Sequence, residues 1–310
     1  MRIAIAQKNP ILLDRRATVE LVEASISEAA NEGASLVAFG ETFVPGYPVW
    51  LDRTDAARFD SDVQKDFHAH YVDQAVSIDD LDSIRRLCKS SRVAVVLGIA
   101  ERDRARGQSI FATAVSIDDT GEIQATHRKL VPTYEERLAW SHGDANGLRT
   151  WPLKDFTVGV LNCWENWMPL PRAALHAQGE TLHVALWPGS DRTTQDITRF
   201  IAREGRSYVV SASALYRAAA VPKSFPHRDL LVTDEGELFQ NGASCVAGPD
   251  GSWLVEPVVG QEGMFYADVD ATQVRRERQN FDPAGHYSRP ELLRLSVDRT
   301  RFATVFSDDL

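Results

Sequence analysis

The chain has 310 residues, of which 44% are hydrophobic and 25% charged, the proportions of an ordinary globular protein. Its formal net charge is −10, and acidic and basic residues are interspersed along it. This pattern favours a well-solvated surface and offers no basic stripe or tail to a nucleic-acid partner. The apolar start of the chain is too short for a signal peptide, and the longest apolar run, residues 93–100, is too short to cross a bilayer.

Strand-like and helix-like segments alternate along the chain. Apolar runs and period-two alternation predict strands at 2–7, 36–39, 93–100, 111–117, 122–127, 157–161, 182–186, 208–213, 229–233, 243–247 and 264–269. Apolar residues at helical spacing predict helices at 16–32, 171–178 and 197–206. The turn at 118–121 makes the fourth and fifth strands a hairpin. This mixture of β-α units and hairpins predicts an α/β protein with a mixed sheet.

No linker or repeat divides the chain, so we expect one domain over residues 1–310. The tail from about residue 285 is polar and rich in arginine. We expect this tail to lie on the surface or to cross to a neighbouring subunit.

Cysteine usage indicates a reducing compartment. Cys88, Cys163 and Cys245 are widely spaced, and an odd number without a Cys-x-x-Cys pair argues against a disulfide framework or a zinc ribbon. Cys88 lies in a helix pattern and Cys245 in a strand pattern, which is typical of small core residues. We therefore expect a cytoplasmic protein without a metal site, and with neither a membrane nor a nucleic-acid partner.

Cys163 has different surroundings from the other two cysteines. It follows the apolar strand pattern at 158–161 and precedes Trp164, Glu165 and Asn166, after which a helix begins. The thiol is therefore predicted at a strand-to-helix corner, where a side chain can project into a cleft and a helix N-terminus favours the thiolate. A buried structural thiol is the alternative at this position.

A glutamate at the end of a predicted strand is the second candidate. Glu41 follows the apolar run 36–39 and precedes a turn rich in proline and glycine. A carboxylate at the end of a buried strand can be desolvated, which raises its pKa towards that of a useful general base. A carboxylate that caps the following turn is the alternative.

A lysine beside an arginine is the third candidate. Only six of the 34 basic residues are lysines, so Lys129 next to Arg128 at a strand end is unusual for this chain. Lysine supplies a compact positive charge, which suits the stabilisation of a developing anion. An exposed Arg-Lys pair is the alternative.

Together these three segments resemble the nitrilase superfamily, the carbon–nitrogen hydrolases that use a Glu-Lys-Cys triad. The order along the chain matches that triad. The Cys163-Trp-Glu-Asn166 segment is similar to the nucleophile motif of the nitrilase branch, and residues 128–137 are similar to its lysine segment. Residues 281–290 resemble its C-terminal motif, and the resemblance runs from Arg2 to about Leu295.

The resemblance implies a role for each matched residue. Glu41 corresponds to the general base, Lys129 to the cationic stabiliser and Cys163 to the nucleophile. A second glutamate of the family's lysine segment corresponds to Glu136, although Glu135 beside it cannot be distinguished on physical grounds. The resemblance also implies a four-layer α-β-β-α sandwich, no metal or organic cofactor, and a homo-oligomer of two or more subunits.

The implied reaction is hydrolysis of an organic nitrile to the carboxylic acid and ammonia, through a covalent thioimidate and a thioester on Cys163. An amidase or carbamoylase with the same triad is the runner-up, and a catalytically silent binding scaffold is a third possibility. Aromatic residues flank the triad segments and are candidates for substrate binding: Tyr47, Tyr134, Trp164, Trp167 and Trp187. The alternative is that these side chains only pack in the wall of the cleft and make no specific contact with substrate. The sequence therefore does not distinguish between aliphatic nitriles, aromatic nitriles and arylacetonitriles as substrates.

Overall fold

A computed structural model describes residues 1–302 of the chain. Its strands are β1 (Arg2–Gln7), β2 (Leu36–Ala38), β3 (Ala94–Arg102), β4 (Ile110–Ile117), β5 (Ile123–Arg128), β6 (Trp151–Leu153), β7 (Phe156–Asn162), β8 (Leu182–Trp187), β9 (Tyr208–Ser213), β10 (Leu215–Arg217), β11 (Leu238–Ala247), β12 (Trp253–Val259) and β13 (Gly263–Asp268). Its α-helices are α1 (Arg15–Asn31), α2 (Asp62–Gln74), α3 (Asp82–Ser91), α4 (Pro169–His176), α5 (Asp191–Gly205), α6 (Arg228–Leu231) and α7 (Ala271–Glu277).

The strands form two mixed sheets. The first sheet has the order β13-β1-β2-β3-β4-β5, in which β1, β2 and β3 run parallel. The second has the order β10-β11-β9-β8-β7-β6, with β12 paired to β11 and with β7, β8 and β9 parallel. Helices connect the parallel neighbours, as parallel pairing requires, and hairpins connect antiparallel ones such as β4 and β5.

The two sheets pack face to face through an apolar core. Alternate residues of the first sheet, such as Ile3 and Ile5, belong to one buried cluster with alternate residues of the second, such as Val158 and Val160. Successive side chains of a strand point to opposite faces, so this alternation directs one face of each sheet into the shared core.

The opposite faces of both sheets are covered by helices. Val22 and Ile26 of α1 join the cluster on the outer face of the first sheet. Ile197 and Ile201 of α5 pack with Val209 on the outer face of the second sheet. The layers therefore run α-β-β-α, which confirms the predicted four-layer sandwich.

One predicted strand is wrong. Residues 229–233 form the end of the short helix α6 and an irregular bend. The segment pairs with neither sheet, and it enters the core through Leu231 and, in part, Val232. The run Leu230-Leu231-Val232 has the composition of a strand, but its neighbours in the sequence are charged and exposed. Periodicity also missed several elements, namely α2, α7, β6, β10 and β12.

The tail contacts its own chain over its last described residues. The Arg301 guanidinium lies 3.1 Å from Asp144 Oδ1 and donates to the Thr126 carbonyl. Residues 303–310 of the predicted tail lie outside the described residues, and its crossing to a neighbouring subunit stays a prediction. Within residues 1–302, none of the helices is long and apolar enough to span a membrane.

Candidate active site

Glu41 lies where the two sheets approach each other. Its backbone N–H donates to the Trp187 carbonyl at the end of β8, 3.0 Å away. On the other side, β3 passes so close that a Cβ on Gly98 would lie 2.1 Å from the Gly40 carbonyl oxygen. Only glycine fits there, and the side chain of Glu41 is held fully buried between the sheets.

Cys163 lies at the corner that the sequence predicts, directly after β7. It begins a 3-10 helix at Cys163–Trp167 and has a φ of +48°, which is rare for a residue with a side chain. The Asn166 side chain donates to its carbonyl at 2.8 Å, which holds the strained turn in place. Residues in such conformations cluster at functional sites, where the surrounding structure holds them.

Lys129 follows β5 directly and is buried. Its N–H donates to the Ala112 carbonyl at 2.7 Å, and its carbonyl accepts from Gly143 at 2.8 Å. Its Nζ lies 2.9 Å from Glu41 Oε1 and 2.6 Å from Glu136 Oε2. Among the described residues, no donor makes an aligned hydrogen bond to the Glu41 carboxylate, so the contact between Lys129 and Glu41 is an ion pair.

Glu136, rather than Glu135, faces the lysine. Its carboxylate accepts from Lys129 Nζ at 2.6 Å, from the Thr133 N–H at 2.6 Å and from the Tyr47 hydroxyl at 2.9 Å. Thr133 and Glu136 form a reciprocal capping box at the start of the 3-10 helix at Tyr134–Leu138. Three donors therefore hold this carboxylate in one orientation.

The structure brings the four predicted catalytic residues together. The carboxylates of Glu41 and Glu136 and the thiol of Cys163 each offer an atom, and these atoms lie within 4.8 Å of one another. Such spacing could hold a metal ion, but the ammonium of Lys129 already lies against both carboxylates and supplies the positive charge. The site therefore combines a thiol, two carboxylates and one cation.

Burial shifts the pKa values of these groups. Burial raises the pKa of Glu41 to about 8, although the nearby Lys129 ammonium opposes the shift. Burial also raises the pKa of the Cys163 thiol well above its ordinary value, against the lowering effect of Lys129. Burial by itself lowers the pKa of Lys129, but its attraction to Cys163, Glu41 and Glu136 outweighs burial and raises that pKa. The resting site therefore holds a thiol and an ammonium.

Comparison with known proteins agrees with this geometry. The family model described as carbon-nitrogen hydrolase matches residues 2–279. The chain belongs to the carbon–nitrogen hydrolase family. The resemblance to this superfamily that the motifs indicate is thereby confirmed, and the chain is an enzyme of this family.

Named relatives lie in the nitrilase branch of the family. A nitrilase 2 from an unknown prokaryotic organism is 35% identical over 99% of this chain and 95% of its own length. An aliphatic nitrilase of Rhodococcus rhodochrous is 32% identical over 98% of this chain and 84% of its own length. An arylacetonitrilase of Macrophomina phaseolina is 33% identical over 100% of this chain and 94% of its own length.

Solved structures agree on the fold. An amidase from Nesterenkonia sp. has a TM-score of 0.66 and 20% identity, and the match covers 90% of this chain and 94% of that chain. At this identity the likeness shows the carbon–nitrogen hydrolase fold alone.

The predicted aromatic residues lie at different depths around this carbon–nitrogen hydrolase site. Tyr47 is half-buried and touches Glu136, whereas Trp187 is fully buried in the cluster that contains Cys163. The partly exposed rings of Trp164 and Trp167 are tilted against each other close to Cys163, with 6.2 Å between their centroids, and Tyr134 is also exposed.

Sequence reasoning missed three residues that touch the triad segments. Trp140 places its ring 5.4 Å from Lys129 Nζ and packs edge-on against Tyr47. Glu165 and His127 form a buried pair between the lysine and cysteine segments. His127 lies two residues before Lys129, and Glu165 lies two residues after Cys163. This spacing was the signal that the sequence offered, but only the fold shows that the two side chains meet.

Proposed function

We propose that this enzyme hydrolyses an organic nitrile to the carboxylic acid and ammonia. Cys163 is the nucleophile, Glu41 the general base, Lys129 the cationic stabiliser, and Glu136 the carboxylate that orients Lys129. The observation that carries the proposal is one buried ammonium in contact with two carboxylates, both within 4.8 Å of a thiol at a strained turn. The nitrilase names of relatives over the whole chain support nitriles as the substrate class.

The reaction proceeds through two covalent states. Glu41 takes the proton of the Cys163 thiol while sulfur attacks the nitrile carbon. The protonated Glu41 then gives this proton to the nitrile nitrogen, which completes a thioimidate. Water activated by Glu41 then adds to this carbon, ammonia leaves, and a thioester remains. A second water releases the acid and restores the thiol. Each positioned proton transfer typically contributes about 10²–10⁴-fold.

The raised pKa values fit this order of events. A thiol that is neutral at rest needs a base close by, and a pKa of about 8 makes the Glu41 carboxylate a stronger base than an ordinary glutamate. Lys129 stays charged and faces the negative charge that develops on the substrate nitrogen.

The substrate side chain is proposed to lie among the aromatic residues. These residues are Tyr47, Tyr134, Trp164, Trp167 and Trp187, of which Trp187 is fully buried beside Cys163. Relatives named for aliphatic nitriles and for arylacetonitriles are similar to this chain at nearly equal identity. The proposal therefore covers both classes of nitrile and depends on no cofactor.

The test is a panel of aliphatic, aromatic and arylacetonitriles with their matching amides. Ammonia release is measured with the wild type and with Cys163→Ala, and products are separated by chromatography. We expect acid as the major product from a nitrile, with a smaller amount of amide. If the amides turn over faster than every nitrile, the amidase alternative replaces the nitrilase proposal.

The enzyme is further proposed to be a cytoplasmic homo-oligomer. Its three cysteines are free and buried, which suits a reducing compartment. The helices α4 and α5, next to the nucleophile turn, expose Leu170 and Phe200 on the outer side of the second sheet. We propose that subunits pair through this face of the two helices.

A further inference from the structure

Glu165 is a fully buried carboxylate that has no role in the proposed chemistry. It lies in the 3-10 helix that Cys163 begins. Its Oε1 accepts from the Leu130 N–H at 2.6 Å, and its Oε2 accepts from the Asn162 N–H at 2.9 Å. His127 Nε2 lies 3.0 Å from Oε2. A buried carboxylate is costly, so its place here calls for a reason.

The donors come from the two segments that carry catalytic groups. Leu130 follows Lys129 directly, and Asn162 precedes Cys163 directly. The lysine segment extends from β5 in the first sheet, and the cysteine segment extends from β7 in the second. One carboxylate thus connects the two sheets at the point where the ammonium and the thiol must meet.

Charge makes this connection strong. Burial by itself raises the pKa of Glu165, but the charge of His127 and the N–H groups of Leu130 and Asn162 lower it below the ordinary value. An ionised carboxylate only accepts hydrogen bonds, and such charge-assisted bonds are shorter and stronger than neutral ones. Its two oxygens satisfy all three donors.

We propose that Glu165 is a positioning residue that fastens the segment carrying Lys129 to the turn carrying Cys163, and so sets the separation of ammonium and thiol. The inference rests on the proposed roles of these two residues. An amide at position 165 would direct its own N–H₂ at one of the backbone donors. The two segments would then move apart, and misplacement of about 1 Å costs an enzyme on the order of a hundredfold in rate.

The test compares Glu165→Gln with Glu101→Gln. Glu101 is a matched control because its carboxylate is also buried and ion-paired, to Arg128, one residue before Lys129. We expect Glu165→Gln to lower kcat by about a hundredfold with KM changed little, and to slow alkylation of Cys163 by iodoacetamide. Glu101→Gln is expected to lower thermal stability but to keep kcat within a few-fold of the wild type.

A pH profile separates positioning from general loss of structure. The titratable groups around Glu41 are Lys129, Glu136, Cys163, Tyr47, Tyr71 and Tyr216. The charge of Glu165 is a further, smaller influence that raises the Glu41 pKa. The rate of Cys163 alkylation should therefore begin to rise at a lower pH in Glu165→Gln than in the wild type. In Glu101→Gln it should begin to rise at the wild-type pH. Glu165→Asp shortens the side chain but keeps its charge. It should lower kcat without changing the pH at which the alkylation rate begins to rise.

Alkylation needs no substrate turnover, so it tests the positioning even if the nitrile proposal fails. Wild-type kcat and alkylation rate in a folded Glu165→Gln variant would overturn the inference. If Glu165→Gln does not fold, Glu165→Asp and His127→Gln take its place, with circular dichroism as the check of folding. Wild-type kcat in either of these folded variants would overturn the inference as well.

Discussion

One buried cation balances the acidic groups of this site. Lys129 contacts Glu41 and Glu136, and its charge also favours the thiolate of Cys163. At low local dielectric, a charge in such contact acts far more strongly than it would in water. The position, size and charge of a single side chain therefore decide whether the site works.

Lys129→Arg tests the requirement for a compact charge. The ammonium lies between two carboxylates and the Trp140 ring, so a planar guanidinium would displace at least one of them. We expect kcat/KM below about a tenth of the wild-type value, a loss of roughly 1.4 kcal/mol or more. Lys65→Arg, at a lysine whose side chain is half exposed, should keep full activity. A Lys129→Arg variant with more than a tenth of wild-type activity would contradict the argument.

Cysteine variants test the identity of the nucleophile. Cys163→Ala should abolish turnover with the fold intact. Cys88→Ala and Cys245→Ala should keep most activity, because both thiols are buried in the core with pKa values raised to about 12 by burial. Steady-state rates and circular dichroism decide the matter. Loss of activity in a well-folded Cys245→Ala variant would count against Cys163.

The stability of the enzyme should depend on pH because of the raised pKa of Glu41. Its carboxyl has a pKa of about 8 in the folded chain against an ordinary value of 4.5, so the folded state binds this proton more tightly. Its contribution to stability is therefore present below about pH 4.5 and is lost as pH rises towards about 8. The glutamine of Glu41→Gln cannot ionise. The Tm of this variant, relative to that of the wild type, should therefore increase as pH rises from about 4.5 to about 8. A constant difference in Tm across the window would contradict the raised pKa.

At the scale of elements, close packing between strands and turns places the catalytic residues. The turn at Gly40–Thr42 passes between β3 and the end of β8, and Gly98 is the residue of β3 that makes room for it. The position of Glu41 therefore depends on a strand far from it in the sequence.

Gly98→Ala should displace the backbone that carries Glu41. The added Cβ would lie 2.1 Å from the Gly40 carbonyl oxygen, so the turn must shift. We expect kcat to fall by about a hundredfold, with circular dichroism close to that of the wild type. Gly236→Ala is the matched control, since its Cβ would meet only the Asp234 side chain, at 3.3 Å. Equal activity of the two variants would show that the turn adapts.

At the scale of the whole molecule, the outer face of α4 and α5 is the proposed interface between subunits. Both helices follow the segments that carry Cys163 and Trp187. A subunit docked on this face would lie against the back of the nucleophile turn. Association would then stabilise the site as well as the fold.

Light scattering tests the assembly. At micromolar concentration we expect a mass of at least twice the 34.5 kDa of one chain. Phe200→Glu places a charge in the proposed interface and should lower that mass. Phe59→Glu, at an exposed residue away from α4 and α5, should not. A wild-type monomer would refute the oligomer, and an unchanged mass for Phe200→Glu would refute this face as the interface.

The sequence by itself determined the kinds of chemistry and most of the elements. Strand and helix patterns placed β9 to the residue and α1 within one residue at each end, because side-chain periodicity is a local property. For the same reason, the sequence pattern predicts that Glu41, Lys129 and Cys163 lie at the ends of strands. Motif resemblance supplied their roles and the four-layer architecture.

Only the tertiary structure decided what depends on contacts between distant segments. It selected Glu136 over Glu135, because only one of the two meets Lys129 and Tyr47 across the site. It placed residues 229–233 in a short helix and the bend after it. A strand needs a neighbouring strand to pair with, and no local sequence pattern shows whether one is present. The raised pKa of Glu41 and the connection through Glu165 also depend on it, because burial and hydrogen-bond partners exist only once the two sheets have packed together.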